Sequence, residues 1–260
     1  AGYLKTITLG SLDVQDVAQL LPEAERAEAG RVFALTGGNP FYITEYLSRE
    51  GRALGKDFIG ARLGMLSTAA RAALEAAAVL GEQVAFRLWS VVAQESPLSL
   101  ATVSEELTDR YFLQPTAAGY AFVHDVLRNA VYDSIEPARR RLLHSRAADA
   151  LATLAPENWR ARAFQLERAR RKIEAIAAYR QVGAQESERF AFREAQEAFT
   201  RALTLLPVAP SVERVEIALA FAQTCDILGE RERAQAALDE ALRGARALQN
   251  DSLTLQALLA

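Results

Sequence analysis

Cysteine is almost missing. Cys225 is the single one in 260 residues, so neither an internal disulfide framework nor a cysteine-rich zinc site can be built, which fits a reducing cytoplasm. Glycine and proline are sparse, at 14 and 8, and low-complexity or disordered character is excluded because half of the residues are hydrophobic. No apolar run approaches the roughly 18–20 residues that a membrane helix needs, and no signal peptide is visible. A net charge of -3 offers no global attraction for nucleic acid. The only methionine is Met65, and the chain stops at Leu258-Leu-Ala260 inside an apolar helical pattern. These ends predict a fragment cut from a longer protein. What is abundant is alanine in helical period, the composition of a soluble, mainly helical chain.

Leu4 to Leu9 alternates as a short strand, and Ser11-Leu-Asp-Val is a helix start. Helical period runs on to Leu35 and is broken by Thr36-Gly-Gly-Asn-Pro40, after which Pro40 suits the first position of a new helix. From Ile59 to Val79 helical spacing is interrupted at Ser67, which can cap the second of two helices. Short helices follow at Phe86–Val92 and Leu100–Leu107, and then an apolar hairpin through Tyr111, Tyr120 and Phe122 turning at Thr116-Ala-Ala-Gly119. Three short helices and a hairpin are the order of a winged-helix domain. After Pro137 everything reads as helix. Ala195, Phe199 and Ala202 align with Ala234, Leu238 and Ala241, and more weakly with Ala175, Tyr179 and Val182. This small–large–small spacing is the second-helix signature of a tetratricopeptide repeat, with Gly183 at the close helix contact and Pro207 as terminator. The copies lie 20 and 39 residues apart, so the repeats are degenerate.

The residues that could carry chemistry are few. Gly51-Arg-Ala-Leu-Gly-Lys-Asp57 fails as a phosphate loop: three residues separate its glycines and Asp follows the lysine, where four residues and Ser or Thr are required. No acidic strand end of the Walker B type is visible, so this chain alone is not expected to be an enzyme. His124-Asp125 stands where the hairpin gives way to a helix; Asp125 can cap that helix, and His124 can turn a ring nitrogen towards whatever lies against its start. Between Pro137 and Lys172 ten Lys or Arg stand against three Asp or Glu, a local +7 that reads as a solvated or ion-paired face or as a patch for nucleic acid or an acidic partner. The helix at 100–107 carries two acids and no base, a poor reader of a DNA groove. His144, inside a basic amphipathic helix, is given no chemistry.

Taken together, Thr36-Gly-Gly-Asn-Pro-Phe-Tyr-Ile43, Ala61-Arg-Leu63, Phe122-Val-His-Asp-Val-Leu-Arg-Asn-Ala-Val-Tyr132 and Pro137-Ala-Arg-Arg-Arg-Leu-Leu-His144 resemble the STAND class of signal-transduction ATPases. More narrowly they are similar to the bacterial predicted ATPases of large LuxR-type regulators. The resemblance implies a mainly α chain in three parts: the end of an ATPase core and a helical lid over 1–58, a winged-helix domain over 59–136, and a tetratricopeptide-like antiparallel helical-hairpin solenoid over 137–260. It also implies ATP or ADP as the cofactor of the whole protein. Gly38, Asn39 and Pro40 are similar to the family's Gly-x-Pro element, whose proline packs on the adenine. Val123-His124-Asp125 resembles its Met-His-Asp motif, whose histidine contacts the β-phosphate of ADP and holds the inactive state.

The expected function is therefore the regulatory middle of a nucleotide switch in a transcriptional regulator. Its expected partners are an upstream ATPase module and an unknown protein or small-molecule inducer on the repeats, with nucleotide-dependent self-association. Direct DNA binding and a membrane are not expected. Two alternatives stand beside it: a repeat scaffold without a nucleotide role, and nucleic-acid binding through the winged helix and the 137–172 segment.

Overall fold

The structure is a computed structural model that describes residues 11–36, 38, 40–47, 58–110, 112–123 and 125–260. The expected strand at 1–10, the Gly51–Asp57 segment, Asn39 and His124 lie outside the described residues. The chain divides into two compact units, Ala1–Ser67 and Thr68–Ala260.

In the first unit, helix α1 (Val14–Leu20) starts at a capping box. The Asp13 carboxylate accepts from the backbone N–H groups of Gln15 and Asp16, each at 2.8 Å, and the Asp16 carboxylate accepts in return from the Asp13 N–H. A 3-10 turn (Glu23–Glu28) leads into α2 (Ala29–Thr36), followed by α3 (Pro40–Leu47) and α4 (Phe58–Gly64). Val17, Leu21, Ala29, Val32, Ile43 and Tyr46 form the shared core of α1 to α3.

The second unit begins with α5 (Thr68–Leu80), whose Ala70, Ala73, Leu74, Ala76, Ala77, Ala78 and Val79 are all buried. Burial on so many sides requires small side chains, because four helices approach it: α6 (Phe86–Ala93), α7 (Pro97–Asp109), α8 (Asp125–Ser134) and α9 (Pro137–Leu154). Three strands, β1 (Gln83–Ala85), β2 (Leu113–Thr116) and β3 (Gly119–Phe122), pair antiparallel in the order β1-β3-β2, with Val84 opposite Tyr120 and Leu113 opposite Phe122. Gly119 has φ +145°, and a Cβ there would enter the van der Waals shell of the Val84 carbonyl oxygen, so only glycine lets β1 and β3 close. Trp89 is wholly buried, its indole N–H donating to the Ala73 carbonyl at 2.7 Å, with Tyr120 edge-on at 5.4 Å. The Tyr120 hydroxyl is in turn hydrogen-bonded to Ser104 on α7 at 2.8 Å. Tyr120 and Phe122 thus serve the core of this helix–sheet module.

From α9 onward the chain is a row of antiparallel helices: α10 (Trp159–Arg168), α11 (Lys172–Glu188), α12 (Phe192–Leu205), α13 (Val212–Ile227), α14 (Arg231–Ala247) and α15 (Asp251–Leu259). Four of the connections are the same turn. Arg170, Phe190, Gly229 and Gln249 each adopt φ between +53° and +74°, and the next N–H reaches back five residues to a carbonyl: Arg171 to Leu166, Ala191 to Glu186, Glu230 to Cys225, Asn250 to Ala245. Three of these left-handed positions lie five residues before Ala175, Ala195 and Ala234, which are buried in the first turn of the next helix. The 20- and 39-residue spacing now has a cause. Two successive tight turns join α10, α11 and α12, the longer 206–211 connection with Pro207 and Pro210 follows, and two more tight turns join α13, α14 and α15. Gly183 on α11 lies directly against the Phe199 ring of α12, where any Cβ would collide with it.

Candidate functional site

Of the four residues assigned to nucleotide contact, Gly38 and Pro40 are described and stand on one turn of the first unit. Gly38 is buried at φ +73°; its carbonyl accepts from the Leu12 N–H at 2.9 Å, and a Cβ there would strike the Leu12 carbonyl oxygen. The glycine therefore locks the turn between α2 and α3 onto the chain just before α1. Pro40 is the first residue of α3 and is exposed, its carbonyl accepting from Thr44 Oγ1 at 2.8 Å. Its ring is rigid, uncharged and held at a fixed backbone angle. Asn39 and His124 fall outside the described residues.

The hairpin exit that leads to His124 is fixed on both sides. The Phe122 N–H donates to the Glu82 carbonyl and the Val123 N–H to the Phe112 carbonyl, at 3.1 and 3.2 Å. Asp125 is the exposed first residue of α8, where its charge suits the positive end of the helix. Leu127, Val131 and Ile135 are buried behind it, and Arg128 donates to the Ala78 carbonyl of α5 at 3.3 Å.

The histidine that sequence reasoning passed over is held in a buried hydrogen-bond network. His144 is buried, and both ring nitrogens are engaged: Nε2 with the Tyr132 hydroxyl of α8 at 2.9 Å, and Nδ1 with Gln165 Oε1 of α10 at 2.6 Å. Gln165 Nε2 donates onward to the Val79 carbonyl of α5 at 3.1 Å. The Tyr132 and Phe164 rings stand edge-on to the imidazole, and Arg140 lies over the Tyr132 ring at 4.8 Å. Burial pushes the imidazole below its ordinary range; the hydrogen bond to Gln165 opposes this, and the charges of Arg168 and Arg140 add to the lowering. A signal was there. His144 sits on the apolar stripe of Leu143, Ala147, Ala148 and Leu151, where a polar ring needs internal partners.

Much of the basic 137–172 segment is spent within the fold. Arg139 binds Glu75, Arg140 reaches Asp133 and Tyr132, and Arg160 pairs with Glu186. Arg162 and Arg168 stack on Trp159 and Phe164, and Arg171 bridges Asp149 and Glu174, which raises its own pKa and lowers that of Glu174. The Tyr179 hydroxyl donates to Glu167 at 2.6 Å. The array also carries two open grooves, of about 490 Å³ around Arg214, Glu240 and Arg243 and about 480 Å³ around Gln223, Arg231 and Leu238. Among the described residues no group of His, Cys, Asp or Glu could hold a metal ion, and no helix is long and apolar enough to cross a membrane.

No family model matches the sequence, and no curated protein matches it. Among solved structures the chain is similar to a Signal Transduction ATPase with Numerous Domains (STAND) protein with a tetratricopeptide repeat sensor from Pyrococcus horikoshii, at 14% identity and a TM-score of 0.36. The match covers 95% of this chain and 43% of that one, so the chain spans less than half of that protein's length.

Proposed function

We propose that this chain is the regulatory middle of a STAND-type, ATP-dependent signalling switch, in which a nucleotide bound by a P-loop module elsewhere in the protein is read through Pro40 and His124. The observation that carries the reading is the order of elements in the second unit. A helix–strand–helix–helix–hairpin module, the order of a winged helix, is followed in sequence by His124 and α8 and then by stacked helical hairpins of tetratricopeptide type. In this reading Gly38 fixes the turn that presents the Pro40 ring to the adenine, and His124 donates a hydrogen bond to a phosphate oxygen of ADP, strongest when the ring is charged. Exchange for ATP removes that contact and biases the module between two positions. The helical array receives the inducer or protein partner, and its two grooves offer room for one. Nucleotide-dependent self-association and a transcriptional output through a separate DNA-binding domain complete the proposal.

Direct DNA contact by this chain is disfavoured. Helix α7 exposes Glu105 and Asp109, and six of the ten cations of 137–172 already have carboxylate or aromatic partners. A plain scaffold remains the second reading, favoured by the grooves of the array.

The test is His124→Ala in the polypeptide that carries this chain together with its P-loop module. Co-purified ADP should fall at least about tenfold, the loss of one charge-assisted hydrogen bond, and signalling should become constitutive. Unchanged ADP retention and unchanged signalling would leave the scaffold as the function.

A further inference from the structure

We infer that the buried hydrogen-bond chain Tyr132–His144–Gln165–Val79 is the mechanical joint that passes a movement of α8 to the first helices of the array. The inference rests on the switch reading, because a joint of this kind matters only to a protein that transmits a signal.

With the imidazole neutral, as its burial favours, the polarity of the chain is set at every step. Gln165 uses its amide N–H on the Val79 carbonyl, so the amide oxygen facing His144 must accept. Nδ1 therefore carries the proton, Nε2 is bare, and the Tyr132 hydroxyl has to donate to it. Each group has one way to be satisfied, and His144 and Gln165 are too buried for water to replace a lost partner. If α8 shifts alone, Nε2 is left buried without a donor. If α8 moves together with α9, α10 and the α5 that carries Val79, every bond of the chain is kept. The joint thus favours concerted movement of the four helices.

Its placement suits that task. Tyr132 stands on the helix that begins directly after His124, so the chain connects the hairpin exit to the start of the array by way of α8. Arg140, stacked on Tyr132 and donating to the Ile135 carbonyl, holds the end of α8 against α9. The pair of Arg139 with Glu75 ties α9 to α5 on a second line. Downstream, α10 and α11 share the Tyr179–Glu167 hydrogen bond, which Arg201 of α12 extends. A displacement received by α10 is thereby shared with the next two helices.

The experiment is amide hydrogen exchange on this 260-residue chain without nucleotide, comparing wild type with Tyr132→Phe, Gln165→Met and the double variant. Tyr132→Phe keeps the ring and its arginine, and Gln165→Met keeps the volume, so both variants remain folded. The joint predicts reciprocal effects: Tyr132→Phe speeds exchange in α10 about as much as in α8, roughly tenfold, and Gln165→Met does the same to α8. The double variant exchanges little faster than either single one, because one chain is cut twice. Acceleration confined to the substituted helix, or effects that multiply in the double variant, overturns the joint. Since no nucleotide is present, that result would leave the ADP test of His124 untouched, and failure of the ADP test would leave the joint standing as a structural coupling.

Discussion

The helix–sheet module over 68–134 and the helical array over 159–259 are both mostly helix, yet they are held in opposite ways. In the module, contacts join elements that are not neighbours in the chain: α5 packs against α6, α7, α8 and α9, Tyr120 of β3 bonds Ser104 of α7, and β1 pairs with β3. In the array each helix leans chiefly on the one before and the one after, and the same tight turn recurs. A core of crossed contacts opens as a whole, whereas a row of neighbours can loosen piece by piece. That difference suits the proposed switch, in which the module would move as one body and the array would yield locally to a partner.

The largest blow to the contrast is Trp89→Ala. It removes a fully buried indole together with its hydrogen bond to the Ala73 carbonyl, a cost of about 3–5 kcal/mol. Hydrogen exchange should accelerate throughout 68–134, while amides of α13 and α14 keep their protection within about threefold. Gly183→Ala is the matching insult to the array, costing about 1–3 kcal/mol through the Phe199 ring. Its effect should stay within α11 and α12 and be partly relieved by Phe199→Leu. Uniform loss of protection in both variants would show a single cooperative body and dissolve the comparison.

The same contrast explains what could be read from the sequence. The array announced itself because its information is local: Ala175, Ala195 and Ala234 repeat at the small-residue position, and Gly183 stands where a helix contact demands it. Its turns were hidden, because Arg170, Phe190 and Gln249 occupy left-handed positions at which glycine is the readable sign. In the module the hairpin was legible from its alternation and turn, but β1 was not, since three residues become a strand only by pairing with β3. Helix α7 starts at Pro97, capped by Ser96, three residues before its apolar period begins at Leu100. Of the candidate site, the break at Gly38 and the helix start at Pro40 were visible because glycine and proline state their backbone needs. The apolar stripe marked His144 as buried, but not its role, which lies in partners 12 and 21 residues away and in the bond of Gln165 to Val79, 86 residues from it.

Acid tests the boundary between the two regions. His144 is neutral in the fold with its pKa lowered by burial, so the unfolded chain takes up a proton first, near the ordinary value of 6.5. The native state then binds fewer protons than the unfolded one, and stability must fall as the pH drops below about 6.5, levelling off once the folded imidazole is also protonated. Urea midpoints measured from pH 7.5 down to 5 should show this decline, and His144→Gln should flatten it. A decline of equal slope in the variant would assign it to other groups.

The smallest effect lies in the turns. An L-residue in the left-handed region costs roughly 1 kcal/mol relative to glycine, set against the greater freedom glycine gives the unfolded chain. Phe190 is the clearest case: it is 81% exposed, at φ +61°, and its ring touches Phe192 edge-on at 6.1 Å. Phe190→Gly should therefore stabilise the chain slightly, by about 0.5 kcal/mol, less whatever the Phe192 contact contributes. Gly229→Ala, at the equivalent turn and with open space around it, should cost about 1 kcal/mol, because only the backbone angle resists the new methyl group. If both substitutions shift thermal melting in the same direction, the four turns are not equivalent, and the array is less regular than its hydrogen bonds make it. Opposite shifts would show that its repeating element is the turn, which three of four sequences disguise.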